Sequence, residues 1–136
     1  MTLIEPSAVA AVMLDEPDGP QFLADIREAP NPVMTIVGKV EAALSVGRAT
    51  RNYRRSKELV DEFVTALGID TIGISSDLFH DVLDAYARYG TGHPAGLNFG
   101  DCFSYAFAQR ADIALIFKGN DFGKTDVRRY APQSTK

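Results

Sequence analysis

Four acidic side chains occupy places in the sequence where a cation site could form. Glu5 directly follows the short apolar run at residues 2–4, and Asp121 lies four residues after the apolar run at 113–117. Asp101 falls in the first turn of a predicted helix, and Glu41 lies early in another. If the apolar runs are parallel strands, their carboxyl ends share one edge of a sheet, which is where ligands bind. The spacing therefore predicts a cluster of four carboxylates at that edge.

Such a cluster needs a counter-ion, because neighbouring carboxylates repel one another and take up protons unless a cation neutralises them. Mg²⁺ is a natural partner, since it prefers oxygen ligands and is commonly held by one or two carboxylates together with water and substrate phosphate. A bound Mg²⁺ can activate water and stabilise charge on a phosphodiester. The 18 acidic residues of the chain offer many other quartets, so the pattern alone favours this chemistry without assigning it.

The helix that carries Asp101 also admits a structural interpretation. Asn98 stands three residues before Asp101, which is the spacing of a capping box that satisfies free N–H groups in the first turn. A stripe of helical period is expected to face the core, with Asp101 pointing roughly the opposite way. The members of this stripe are Phe99, Cys102, Phe103, Ala106 and Phe107. Both interpretations leave Asp101 outside the core.

Short apolar runs alternate with stretches of helical period along the chain. Strands are predicted at Thr2–Ile4, Val33–Thr35, Ile69–Ile74 and Ile113–Phe117, with an edge strand at Arg128–Pro132. Helices are predicted at Ser7–Leu14, Gln21–Glu28, Ile36–Gly47, Leu59 to a stop at Gly68, a Ser75 cap to Gly90, and Phe99 onward. No hairpin signal joins the strands, which favours βα units and a parallel sheet. We therefore expect an α/β fold, a three-layer α/β/α sandwich with a mostly parallel sheet.

This fold is expected to form a single domain over residues 1–132, followed by a frayed tail at Gln133–Lys136. Two of its helices carry apolar stripes that should face the sheet. One stripe consists of Val37, Val40, Ala43 and Leu44, and the other of Phe79, Val82, Leu83 and Tyr86. The bulky apolar residues of both helices are thus predicted to lie in the core.

The formal net charge of −4 excludes the basic excess of a protein that coats nucleic acid without specificity. Positive charge is instead local. Arg48, Arg51 and Arg54 belong to the densest basic run, and Lys118 and Lys124 flank Asp121. These five residues are candidates for phosphate contacts, although the basic run is equally typical of a solvated helix start.

Cys102 is the only cysteine, so the chain has no internal disulfide, and a buried spacer is its expected role. The sequence shows no basic segment followed by an apolar run at its start, and no apolar run approaches the length of a membrane span. We therefore expect a cytoplasmic protein with no membrane contact.

Four segments of the sequence are specific motifs, which say more about the protein than the composition of the chain does. They are IEPSAV at the first strand, the helix around Glu41, GLNFGDCFSYAFA and LIFKGNDFGKTDV. Together they resemble the PIN-domain ribonucleases of the VapC toxin type. The resemblance implies a parallel sheet sandwiched by helices, RNA cleavage that depends on Mg²⁺ or Mn²⁺, a cognate antitoxin that restrains cleavage, and a homodimer. By match to the motif, it also implies that Asp101, Glu41 and Asp121 belong to the metal site, with Asp126 as a less certain fifth member.

One position departs from the family pattern. Where the family normally reads Asp-Thr-Ser-Ala after the first strand, this chain reads Glu5-Pro6-Ser7-Ala8. Glu5 still offers an oxygen ligand, but its extra methylene moves the carboxylate by about 1 Å, and displacements of that size can cost ~100-fold in rate.

Two functions therefore remain open. The first is a metal-dependent endoribonuclease that acts as the toxin of a toxin-antitoxin pair. In it, Glu5, Asp101 and Asp121 are ligands, water activated at Glu5 and Asp101 attacks phosphorus, Glu41 and Asp121 orient water or hold a second ion, and Ser7 and Asn98 support the ligands. The alternative is a binding module with impaired catalysis that sequesters an antitoxin. In either case the segments 7–14 and 21 onward could form part of a dimer interface, although core packing explains them equally well.

Overall fold

The computed structural model describes residues 1–132, which form four strands, six α-helices and a short 3₁₀ turn. The strands are β1 (Thr2–Ile4), β2 (Pro32–Thr35), β3 (Asp70–Ile72) and β4 (Ala114–Ile116). The helices are α1 (Pro6–Met13), α2 (Gly19–Glu28), α3 (Ile36–Thr50), α4 (Tyr53–Ala66), α5 (Leu78–Tyr89) and α6 (Phe99–Ala111), and the 3₁₀ turn is Phe122–Lys124. The tail predicted at Gln133–Lys136 lies outside the described residues.

The strands form one parallel sheet in the order β3-β2-β1-β4. β1 lies between β2 and β4, where Leu3 pairs with Val33 on one side and with Leu115 on the other. All three residues of β1 are buried, as expected for a strand covered on both faces. Because every pair is parallel, the segments that follow β1, β2 and β4 all begin at the same edge of the sheet.

Successive strand residues point to opposite faces and build two separate cores. Leu3 and Leu115 pack with residues of α5 and α6. Ile4 and Ile116 pack on the other face with residues of α1, α2, α3 and α4. The three-layer α/β/α sandwich predicted from the sequence is therefore confirmed.

Several predicted boundaries shift. α5 begins at Leu78 after an Asp77 N-cap rather than after Ser75, while Gly90 ends it as predicted. The predicted edge strand at Arg128–Pro132 is reduced to one parallel bridge between Leu115 and Arg129. No helix within residues 1–132 combines the length and the apolar character required to cross a lipid bilayer.

The basic run spans the end of α3 and the start of α4, so the predicted helix start is confirmed only for Arg54 and Arg55. α3 continues to Thr50, and Arg51 then adopts a left-handed conformation with φ 57°. The Asn52 side chain accepts from the Arg55 N–H at 3.0 Å and so caps α4. The arginines therefore surround a tight corner between two helices.

The predicted facing of three helices is wrong in part. Val40 and Leu44 of α3, and Leu83 and Tyr86 of α5, are exposed, while Phe79 is 64% and Phe99 74% exposed. In α3, small residues take most of the inward positions instead, since Gly38, Ala42 and Gly47 are buried there. We call the resulting exposed surface the apolar face. It consists of Ile36, Val40, Leu44, Phe79, Leu83, Tyr86 and Phe99.

Candidate active site

The four carboxylates singled out in the sequence line one pocket. Its volume is about 360 Å³. Glu5 follows β1, Glu41 lies in the second turn of α3 after β2, Asp101 lies in the first turn of α6, and Asp121 follows β4. The remaining lining residues are Pro6, Ser7, Leu44, Ser45, Arg48, Asn98, Lys118 and Phe122. The fold thus brings together side chains that are up to 116 residues apart in sequence (121 − 5).

Glu5 is held by the start of α1. Its backbone is extended, with φ −86° and ψ 145°, and its N–H donates to the Ile116 carbonyl at 3.0 Å. Its Oε2 accepts from the Ser7 N–H at 2.7 Å and from the Ser7 hydroxyl. The Ser7 Oγ in turn accepts from the Lys118 N–H at 3.0 Å. Ser7 therefore connects the carboxylate after β1 to the segment after β4.

Asp101 serves the capping box and the pocket together. Its N–H donates to Asn98 Oδ1 at 2.9 Å, and its Oδ2 accepts from the Asn98 N–H at 3.0 Å. This pair confirms the predicted cap. Because the cap engages Oδ2, the Oδ1 oxygen is free of it, and the structural and chemical interpretations of Asp101 do not compete.

Glu41 occupies a cradle formed by the backbone of α6. A Cβ atom at Gly100 would overlap the Glu41 carboxylate. The Oε1 oxygen of Glu41 is buried and has no hydrogen-bond partner within the described residues. A buried carboxylate oxygen without a donor is costly unless a cation or an ordered water completes it.

Burial and mutual repulsion shift the pKa values of three of the carboxyls upward. Burial, with a further contribution from the charges of Asp101 and Glu41, raises the pKa of Glu5 to about 7 against the opposing hydrogen bonds from Ser7. Burial also raises the pKa of Glu41, an effect that the Asp101 charge adds to and the Arg48 charge opposes. The pKa of Asp101 is raised by burial and by Asp121.

These features fit a hard divalent cation. All four acidic groups offer oxygen, one of these oxygens is buried without a donor, and burial together with neighbouring negative charge raises the pKa of Glu5 and of Asp101. Within residues 1–132, no three His, Cys, Asp or Glu side chains stand in an arrangement that could hold an ion together. Coordination by one or two of them with water, as Mg²⁺ commonly accepts, matches this placement. The three-ligand set of Glu5, Asp101 and Asp121 stays a prediction.

The candidate phosphate-binding residues divide into two groups. Arg48 and Lys118 line the pocket. The Lys118 ammonium pairs with Glu16 at 2.6 Å and Asp18 at 3.1 Å. The others do not line it: Lys124 donates to the Pro94 carbonyl at 3.4 Å, and Arg51 and Arg54 lie at the corner between α3 and α4.

The structure does not bring Asp126 to the pocket. Its carboxylate accepts from the Tyr105 hydroxyl and pairs with Arg88 at 3.4 Å. It lines a second cavity of about 520 Å³ beside α5 and α6. The expectation of a fifth acidic member is corrected accordingly, because Tyr105 and Arg88 draw the Asp126 side chain to another side of α6.

Sequence reasoning missed two contributors to the pocket. Ser45 lies one helical turn after Glu41, so the i, i+4 spacing could have indicated it. Phe122 follows Asp121 directly but is buried, and its aromatic contact with Phe117 at 5.3 Å has no signal in the sequence. Cys102 is buried, as predicted.

Comparison with known proteins gives consistent matches. The PIN domain family model matches residues 3–128. A VapC ribonuclease of Rhizobium meliloti is 33% identical over 141 residues, covering 93% of this chain and 99% of its own. Ribonuclease VapC30 of Mycobacterium tuberculosis is 35% identical over 130 residues, with 95% and 98% covered, and VapC42 of the same species is 36% identical over 129 residues, with 93% and 96% covered.

Two solved structures share the fold. Mycobacterium tuberculosis VapC20, described as a sarcin-ricin loop cleaving toxin, superimposes with a TM-score of 0.76 at 13% identity and covers 96% of this chain and 98% of its own. A toxin-antitoxin complex from Klebsiella pneumoniae superimposes with a TM-score of 0.68 at 15% identity, with 99% and 100% covered. At these identities the likeness concerns the backbone fold.

The cradle at Gly100 yields a first prediction. In Gly100→Ala, the new methyl group would overlap the Glu41 carboxylate, which must leave its position. We expect the affinity for Mn²⁺, measured by calorimetric titration, to fall about 10- to 100-fold, as when groups that support metal ligands are removed. Gly73→Ala is the matched control, because a Cβ at Gly73 meets no atom within 4 Å. Equal Mn²⁺ affinity in the two variants would contradict the assigned role of the cradle.

A second prediction concerns pH and the metal-free protein. The pKa of Glu5 is about 7 in the folded chain against 4.5 as the ordinary value. Between these values the unfolded chain releases a proton that the folded chain keeps, so stability falls as pH rises through the window. Glu5→Gln removes this loss of stability. The free energy of unfolding of the variant minus that of wild type should therefore increase by up to about 3 kcal/mol between about pH 5 and about pH 8.

Urea denaturation with a chelator present measures this difference. Asp70→Asn serves as the control, because Asp70 is exposed and should show no such change. A difference between Glu5→Gln and wild type that stays constant with pH would show that folding does not raise the pKa of Glu5.

Proposed function

The chain belongs to the PIN-domain family, together with the VapC ribonucleases, and from this membership we propose that it is a metal-dependent endoribonuclease acting as the toxin of a toxin-antitoxin pair. The observation that carries the proposal is the gathering of Glu5, Glu41, Asp101 and Asp121 at one pocket. The relatives that share at least a third of their residues with this chain over nearly its full length are themselves named ribonucleases.

The proposed mechanism assigns each carboxylate a role. Glu5 and Asp101 would hold Mg²⁺ or Mn²⁺, while Glu41 and Asp121 would orient water or help to hold a second ion. When bound, the metal supplies a nucleophile from water at neutral pH and neutralises charge on the phosphodiester. Ser7 fixes Glu5 through two hydrogen bonds to one oxygen, and Asn98 fixes Asp101. Hydrolysis of this class leaves 5′-phosphate and 3′-hydroxyl ends.

An acidic pocket repels RNA unless positive charge lies nearby. Arg48 supplies such charge at the pocket wall, where it also opposes the rise in the pKa of Glu41. Lys118 lies beside the pocket, but its ammonium is shared with two carboxylates. We assign phosphate contacts first to Arg48, since no ion pair neutralises it within the described residues.

The alternative of a binding module without turnover gains no support. Glu5 lies in the same pocket as the other three carboxylates and is tied to Ser7 rather than displaced. The proposed partners are an antitoxin, by analogy with the fold-related complex from Klebsiella pneumoniae, and a second copy of this chain.

The apolar face supports the second copy. Its seven exposed apolar side chains lie on α3, α5 and α6, and Phe99 joins its two halves. Contiguous apolar surface of this kind marks interaction sites. Helix α1 offers less apolar surface for such an interface, because Ala8, Val9 and Ala11 are buried in the core.

Cleavage provides the test of the activity. Asp101→Asn keeps the shape and the capping geometry but removes a negative charge from the pocket, so RNA cleavage with Mg²⁺ or Mn²⁺ should fall by more than about 100-fold. Asp84→Asn, an exposed carboxylate on α5, is the control and should cleave like wild type. Unchanged cleavage by Asp101→Asn, with contaminating nuclease excluded, would overturn the proposal.

The homodimer has a separate test. Leu83→Glu places a charge in the apolar face and should convert a dimer to a monomer in sedimentation equilibrium, because burying an unpaired charge is strongly unfavourable. Thr65→Glu adds the same charge at an exposed position of α4 and should leave the dimer intact. A wild-type chain that sediments as a monomer would remove the apolar face from consideration as a dimer interface.

A further inference from the structure

The corner between α3 and α4 presents an aromatic ring among arginines. Tyr53, the first residue of α4, is 54% exposed. Its ring lies against Gly47 so closely that a Cβ atom there would overlap Cδ1 and stand 2.8 Å from Cε1. One side of the ring is therefore fixed on the helix backbone, while much of its remaining surface is open to solvent.

The charges around this ring are not neutralised. Arg48, Arg51 and Arg54 take part in no ion pair within residues 1–132, and Arg48 donates only to the Ser45 hydroxyl at 3.3 Å. The acidic residues of α4 are engaged with other cations. Asp61 pairs with Lys39, and Glu58 and Glu62 pair with Arg55. The corner therefore keeps a local positive charge in a chain that is acidic overall.

The corner is continuous with the acidic pocket. Glu41, Ser45 and Arg48 line the pocket and recur at i, i+4 and i+7 along α3, which places them on one side of that helix. Gly47, on which the Tyr53 ring rests, is the neighbour of Arg48. Arg48 therefore belongs both to the wall of the pocket and to the corner that carries Tyr53.

We propose that Tyr53 is a stacking platform for one base of single-stranded RNA next to the cleaved phosphate, with Arg48, Arg51 and Arg54 holding the adjoining phosphates. The proposal rests on the proposed ribonuclease function and extends it to a base-binding subsite. Aromatic side chains that stack bases amid basic residues are the common means of binding single strands. Because Gly47 already fixes the ring, little side-chain freedom is lost on binding.

Binding of fluorescein-labelled oligoadenylate in a chelating buffer, followed by anisotropy, tests the subsite without cleavage. Tyr53→Ala should weaken binding about 5- to 150-fold, the range measured for loss of one stacked base. Tyr53→Phe keeps the ring and should bind like wild type, whereas Tyr53→Leu keeps apolar bulk without a π face and should bind like Tyr53→Ala. Thermal denaturation of each variant verifies folding.

Two further measurements separate stacking from charge. The slope of log affinity against log salt should be unchanged in Tyr53→Ala but reduced by roughly 0.7 in Arg51→Gln, since only the arginine releases a counter-ion. A series of oligoadenylates, each lacking one base at a different position, locates the stacked base. The oligonucleotide that lacks this base should bind wild type and Tyr53→Ala with equal affinity.

Three outcomes would overturn the inference. The first is equal oligoadenylate affinity of wild type and Tyr53→Leu, and the second is an equal loss of affinity in Tyr53→Phe and Tyr53→Ala. The third is no oligoadenylate binding by a wild-type chain that cleaves RNA with Mg²⁺. The first two would leave Tyr53 as a packing residue of the corner. Failure of cleavage by the wild-type chain would instead contradict the proposed function, and the anisotropy comparison would still decide the subsite.

Discussion

The burial of mutually repelling carboxylates at one edge of a parallel sheet is the constraint on which the rest of this structure depends. The fold holds Glu5, buried and close to two other acidic groups, at a pKa of about 7, which a solvated glutamate would not have. Such an arrangement opposes folding of the metal-free chain at neutral pH. It persists because the positions are imposed from outside the pocket: β1 and β4 pair in register, Ser7 bridges them, and the Asn98 cap fixes Asp101. The same repulsion favours a divalent cation.

Local signals in the sequence were sufficient for the sheet, while the choice of these four carboxylates among the 18 acidic residues also needed the family resemblance. A three- or four-residue apolar run bounded by turn residues indicates a buried strand, and parallel connection by helices puts the strand ends at one edge. Glu5 and Asp121 then follow from their position just after strands. The Asn98 and Asp101 pair was equally readable, since a capping box depends on four consecutive residues. The family resemblance is confirmed by the PIN match over residues 3–128.

The sequence did not predict in the same way which side of each helix is buried, nor where the Asp126 side chain lies. Periodicity shows which residues share a face, but it does not say whether the bulky or the small face turns inward when both could pack. In α3 the side that carries small residues is buried, since Gly47 leaves room for the Tyr53 ring of α4 and Gly38 lies near the Pro6 ring of α1. Asp126 likewise depends on a tertiary contact with Tyr105, 21 residues away in sequence. The apolar face and the corner between α3 and α4 both depend on tertiary packing of this kind, which the sequence pattern does not predict.

The neighbours of Glu5 determine where the longer side chain at this position places its carboxylate. A longer acidic side chain displaces its carboxylate only if it extends along the direction that the shorter one would take. Here Glu5 turns toward its own helix, where the Ser7 N–H and hydroxyl both bind Oε2. Because the two bonds converge on a single oxygen, Ser7 does not occupy Oε1. Pro6, which has no N–H to offer, makes Ser7 the first residue of α1 able to donate a backbone bond to that oxygen. The substitution is thus accompanied by a local structure that keeps the Glu5 carboxylate in the pocket with the other three.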